Sequence, residues 1–141
     1  MSVKSYQAIN NFLKLVHNYP HGDVHFASIL SHNKINGLAI NDKFKRPTHC
    51  SVHAEVMALQ KYYITRKSDE IVDIIVVRIN NLRELRNSHP CVDCIHALST
   101  AKVTIRNVYY STSNDEIICV KFNYMVSHGD KYVTKGRRNK K

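Results

Sequence analysis

The chain has 141 residues, 43% of them hydrophobic, and a formal net charge of +10. That length and apolar content suit one domain with one core. With no apolar run of about 18 residues, a membrane-spanning helix is excluded. Half of the charge is local: residues 130–141 hold six basic residues and one acidic one, and so contribute +5. The expected organisation is a single domain over 1–129, followed by a basic, flexible tail over 130–141.

Ser5 to Asn18 carries Ile9, Phe12, Leu13 and Val16, an apolar stripe at helical spacing. This opening is amphipathic rather than a charged-then-apolar leader, so no secretory signal is expected. An intracellular, cytoplasmic chain is the expectation, and its four cysteines should be thiols or thiolates rather than disulfides. Tyr19-Pro20-His21-Gly22 ends the helix. His25 to Leu30 and Ile35 to Ile40 read as a hairpin turning at Ser31-His32-Asn33-Lys34. Asn41 to His49 is a polar loop. Ser51 to Tyr63 returns to a helical pattern through Val52, Val56, Leu59 and Tyr63. Val72 to Ile79 is mostly apolar and β-branched, as in a strand buried on both faces. Asn80 to His89 reads as a long loop or short hairpin. Pro90 to Ala101 reads as a helix with proline in its first turn. Val103 to Ser111 and Ile117 to Met125 read as two further strands. Helices alternating with strands indicate an α/β domain, with a central mixed five-stranded sheet flanked by helices.

Two short segments carry the chemistry, His53-Ala54-Glu55 and Pro90-Cys91-Val92-Asp93-Cys94. Cys91 and Cys94 are spaced to share one helix face, so both sulfurs can reach one ion. A helix N-terminus favours their thiolates. An imidazole from His53 completes three zinc ligands and leaves a fourth position for water, the mark of a catalytic rather than a structural site. Zinc lowers the pKa of that water to about 7. Glu55 is too close in sequence to His53 to be an obvious fourth ligand. It can instead face the water, accept its proton and pass it onward. A rival reading closes the site with Cys50, because Cys50-x-x-His53 with Cys91-x-x-Cys94 is a full structural set.

H-x-E followed by P-C-x-x-C resembles the signature of the zinc-dependent cytidine/deoxycytidylate deaminase superfamily. The resemblance implies a cytidine-deaminase-like layered fold and a hydrolytic deaminase. His53, Cys91 and Cys94 would bind Zn²⁺. A zinc-bound hydroxide would attack C4 of a cytosine-type nucleoside or nucleotide, with Glu55 as proton shuttle. Gly37-Leu38-Ala39-Ile40-Asn41 resembles the strand end that places a base-contacting asparagine, which implies Asn41. Ala54 would offer its backbone N–H to the base carbonyl. Association into a homo-oligomer is also implied.

Other partners remain open. A small-molecule nucleoside or nucleotide is favoured, since the chain is short and lacks the Ser-Trp-Ser element of polynucleotide-editing relatives. The basic balance also admits RNA or DNA, tRNA included, held through the tail. That balance reads equally as a contact for phosphate-bearing partners or as a solvated tail, and GRRNKK could also pass as a nuclear localisation patch, a common and weak signal. A non-catalytic zinc module is the third reading. Arg78 and Arg83 are candidate phosphate contacts, and His89 lies beside the second ligand pair. Of Tyr109 and Tyr110, one is expected in the core and the other at the rim. Cys119 reads as a buried small hydrophobe.

Overall fold

The computed structural model describes residues 3–19, 24–32, 34–41, 53–65 and 70–128. In chain order these form α1 (Val3–His17), β1 (Val24–Ser31), β2 (Lys34–Asn41), α2 (Ala54–Thr65) and β3 (Ile71–Ile79). Next come β4 (Leu85–Arg86), α3 (Val92–Ser99), β5 (Thr104–Ser111), β6 (Ile117–Lys121) and α4 (Phe122–His128). The sheet runs β2-β1-β3-β5-β6, and the short β4 pairs with β3. Only β3 and β5 are parallel; the other pairings are antiparallel. The expected mixed α/β sheet is therefore present, with β4 as a small sixth strand. A parallel pair needs a crossover, and α3 supplies it.

Strand alternation sorts the core into two layers. Val72, Ile74 and Val76 of β3 face one cluster with Ala27 and Ile29 of β1, and Ala54, Ala58, Leu59 and Tyr62 of α2 join them. Ile95 and Leu98 of α3 and Phe122 and Met125 of α4 complete that layer. Ile75, Val77 and Ile79 face the other side, against Phe26 of β1 and Ala8, Ile9, Phe12 and Val16 of α1. β3 is thus buried on both faces, as its apolar run predicts. Each fully buried side chain of this kind stabilises the fold by roughly 1.5–3 kcal/mol. Among the described residues, one layer carries α1 and the other carries α2, α3 and α4.

A bulge shapes the β1–β2 hairpin. The register passes from Ala27↔Ala39 to Ile29↔Asn36, so Gly37 and Leu38 stand against Ser28 alone. Gly37 takes a φ of +77°, where a side chain would be strained. Ser28 Oγ donates to the Gly37 carbonyl at 2.7 Å and fixes the distortion.

Three expectations need correction. The segment after Ile117 is not strand through Met125: β6 stops at Lys121 and the chain turns into α4. Cys119 is exposed rather than buried, because β6 is the edge strand of the sheet. The third helix starts at Val92 with Cys91 as its N-cap, so Pro90 precedes the helix instead of occupying its first turn.

Candidate metal centre

The first turns of α2 and α3 meet at one end of the sheet. At the opposite end, the hydroxyl of Tyr62 in the last turns of α2 donates to Glu70. Ser31, at the close of β1, donates to the same carboxylate at 3.2 Å. The C-terminal end of α2 thus lies over the end of β1, and its start lies over the beginning of β1 and the end of β3. His53 is there, with its carbonyl accepting the Met57 N–H that opens the helix, at 3.1 Å.

The second segment is brought to the same end by two buried serines. Ser88 Oγ donates to the Val76 carbonyl at 2.8 Å and accepts the Ser111 N–H at 2.7 Å. The Ser88 N–H donates to the Ser111 carbonyl at 2.9 Å. Ser111 Oγ donates to the Arg86 carbonyl at 2.6 Å and accepts the Arg78 N–H at 3.1 Å. Both hydroxyls and both N–H groups of this buried pair have partners, as burial demands. The chain therefore leaves the sheet at Ser88 with a fixed heading, and Pro90 and Cys91 come directly after it.

These supports bring His53, Cys91 and Cys94 together, with one donor atom from each lying within 4.8 Å of the others. His53 Nδ1 is 2.9 Å from Cys94 Sγ and 3.5 Å from Cys91 Sγ. Tetrahedral zinc with ordinary Zn–N and Zn–S bonds spaces its donors about 3.5–3.8 Å apart. One imidazole and two sulfurs in this arrangement fit Zn²⁺, and widening the His53–Cys94 separation by roughly 0.6 Å would complete the geometry. Both cysteines are buried and His53 is half-buried, so the donor set is shielded but reachable.

Protons are unequally held across the cluster. Cys91 is pushed down to about 4, first by a hydrogen bond from Cys94 and further by one from His53, against burial. Cys94, giving that hydrogen bond in a buried setting, is pushed up. His53 is raised by its hydrogen bond to Cys91, in opposition to burial. Glu55, the second residue of α2, is 5% exposed. Burial pushes its carboxyl up, against a backbone hydrogen bond, the nearby His53 and a hydrogen bond from Cys94. A carboxyl whose proton affinity burial raises thus lies beside the donor set without being one of its three members.

The remaining candidates are distributed as follows. Ala54 is the first residue of α2 and is buried. Its N–H has no carbonyl partner within the helix. Asn41 is the last residue of β2, opposite His25 in the register. Cys50 and the basic tail lie outside the described residues. Tyr109 is core and Tyr110 half-buried, with the Tyr110 ring edge-on to His89 at 5.0 Å. Arg83 is drawn away, since its guanidinium donates to the carbonyl of Tyr19 on the α1 side. Sequence reasoning missed the Ser88–Ser111 anchor. Its partners are 23 residues apart, and no spacing rule marks them.

The family model for the cytidine and deoxycytidylate deaminase zinc-binding region matches residues 5–112. The chain belongs to this family. Neither a curated protein nor a solved structure matches it.

Proposed function

We propose that the protein hydrolytically deaminates a cytosine-type nucleoside or nucleotide, giving the uracil form and ammonia. The observation that carries this reading is the buried Glu55 carboxyl beside three zinc-fitting donors, inside a deaminase-family domain. His53, Cys91 and Cys94 would hold Zn²⁺, which when bound supplies a Lewis acid that makes water nucleophilic at neutral pH. Glu55 takes one proton of the attacking water and delivers it to the ring nitrogen N3, then takes the second from the new C4 hydroxyl and gives it to the departing amino group. The C4–N bond breaks, a C4–O bond forms, and one water is consumed per ammonia. Burial suits Glu55 to both halves of the transfer, because a raised carboxyl pKa brings its affinity for a proton nearer neutral pH. The Ala54 N–H at the head of α2 can receive the base carbonyl, and Asn41 at the end of β2 can contact the substrate.

The test is ammonia release from cytidine, deoxycytidine and their monophosphates by the zinc-loaded protein. Release from at least one is expected. Silence from all four with zinc bound would overturn the reading. Glu55→Gln should keep stoichiometric zinc while lowering kcat by about 10²–10⁴-fold. An open fourth position belongs to the same proposal, so Cys50→Ala should retain zinc. Loss of metal in that variant would favour a closed structural site.

A further inference from the structure

Resting on the deaminase reading, we propose that Arg78 and Arg86 form a phosphate subsite beside the candidate metal centre, so that the substrate is a 5′-mononucleotide rather than a nucleoside. The register carries this. Arg78 of β3 pairs directly with His25 of β1 on one side and with Arg86 of β4 on the other. Directly paired residues point to the same face of a sheet. The neighbouring pairs fix which face. Val24↔Ile79 and Ile79↔Leu85 join residues of the α1 layer, whereas Ala27↔Val76 joins residues of the layer under α2 and α3. Alternation therefore sets His25, Arg78 and Arg86 on the face that carries the donor cluster.

They also lie at the correct end. The hydroxyl anchor ties the Arg78 N–H and the Arg86 carbonyl to Ser111, and Ser111 to Ser88, three residues before Cys91. His25 stands in register with Asn41, the last residue of β2. A row of basic residues thus crosses three adjacent strands at the end of the sheet that carries the centre. Arg86 keeps 41% of its side chain exposed, so it can meet a ligand from solvent. Glu84 Oε1 lies 3.3 Å from Arg86 and offsets part of its charge. The chain's +10 balance still favours the approach of an anion. Guanidinium presents paired N–H donors that match phosphate oxygens. Among the described residues the row is short, which suits a single phosphate group better than an extended backbone with its longer basic track.

The experiment measures Kd by calorimetry on the zinc-loaded full chain, using the non-reacting products uridine, UMP, deoxyuridine and dUMP. Ammonia release from the matching cytosine compounds is measured in parallel. The nucleotides should bind at least about tenfold tighter than the nucleosides, the scale of a charge-assisted hydrogen bond. Arg86→Gln and Arg78→Gln should each cut that preference several-fold, and Arg86→Lys should restore part of it. Equal binding of nucleoside and nucleotide, or a preference that survives both glutamine variants, would overturn the proposal. So would tighter binding of a cytosine-bearing oligonucleotide than of the mononucleotide. The two readings fail differently. A wrong deaminase assignment leaves the phosphate preference in Kd but yields no ammonia. A wrong phosphate assignment yields ammonia at equal efficiency from both substrate forms.

Discussion

Cys91 and Cys94 share one helical turn, yet their protons are held with opposite strength. Cys91 is already a thiolate well below neutral pH, whereas Cys94 and His53 are shifted to keep their protons. A metal must displace the protons that remain. Zinc affinity should therefore rise with pH through the neutral range, by about tenfold per unit for each proton released. Competition with a chromophoric chelator at several pH values checks this, and a flat profile would contradict it. The ligands were legible in the sequence because coordination demands particular residue types at local spacings. Ser88 and Ser111 were not, since any small hydroxyl can accept such a role and only the fold brings them together. Ser88→Ala leaves the buried Val76 carbonyl and Ser111 N–H without their partner. It should cost about 1–3 kcal/mol in urea unfolding, and it should weaken zinc binding by loosening the approach to Cys91.

Among the elements, α4 shows where pattern reading fails. Ile117 to Val120 is a β-prone run, and Phe122, Tyr124 and Val126 continue its apolar alternation. Alternation would bury those three together. The helix instead buries Phe122 and Met125, one turn apart, and leaves Tyr124 and Val126 exposed. A helix of 7 residues is too short for its period to outweigh the strand signal before it. The two readings predict different mutants. Met125→Ala should cost about 2–5 kcal/mol, as for a buried methionine in a packed core. Tyr124→Ala should stay within about 0.5 kcal/mol. Chemical denaturation of both variants decides between them. By contrast β3 was plain in the sequence, because a central strand needs apolar residues on both faces and offers few alternatives.

For the whole molecule, the donor cluster joins the heads of two helices that share one face of the sheet but are separated in sequence by all of β3 and β4. Metal bound there stabilises only the folded arrangement. At free zinc a thousandfold above Kd the contribution is about 4 kcal/mol. Stripping the metal with a chelator should lower Tm by more than about 5 °C, and adding zinc back should restore it. The Ser88–Ser111 anchor also divides the chain into two regimes. Upstream, the hairpin of β3 and β4 turns through Asn80, whose side-chain oxygen accepts the Leu82 and Glu84 N–H groups at 3.0 Å. That turn can lengthen, shorten or change its charge without disturbing the cysteine-bearing segment beyond the anchor. Downstream, Pro90 to Cys94 has no such latitude. The β3–β4 turn and the cysteine-bearing segment are therefore separate parts joined at one hydrogen-bonded rivet, so sequence drift on the near side of it need not unseat the donors on the far side.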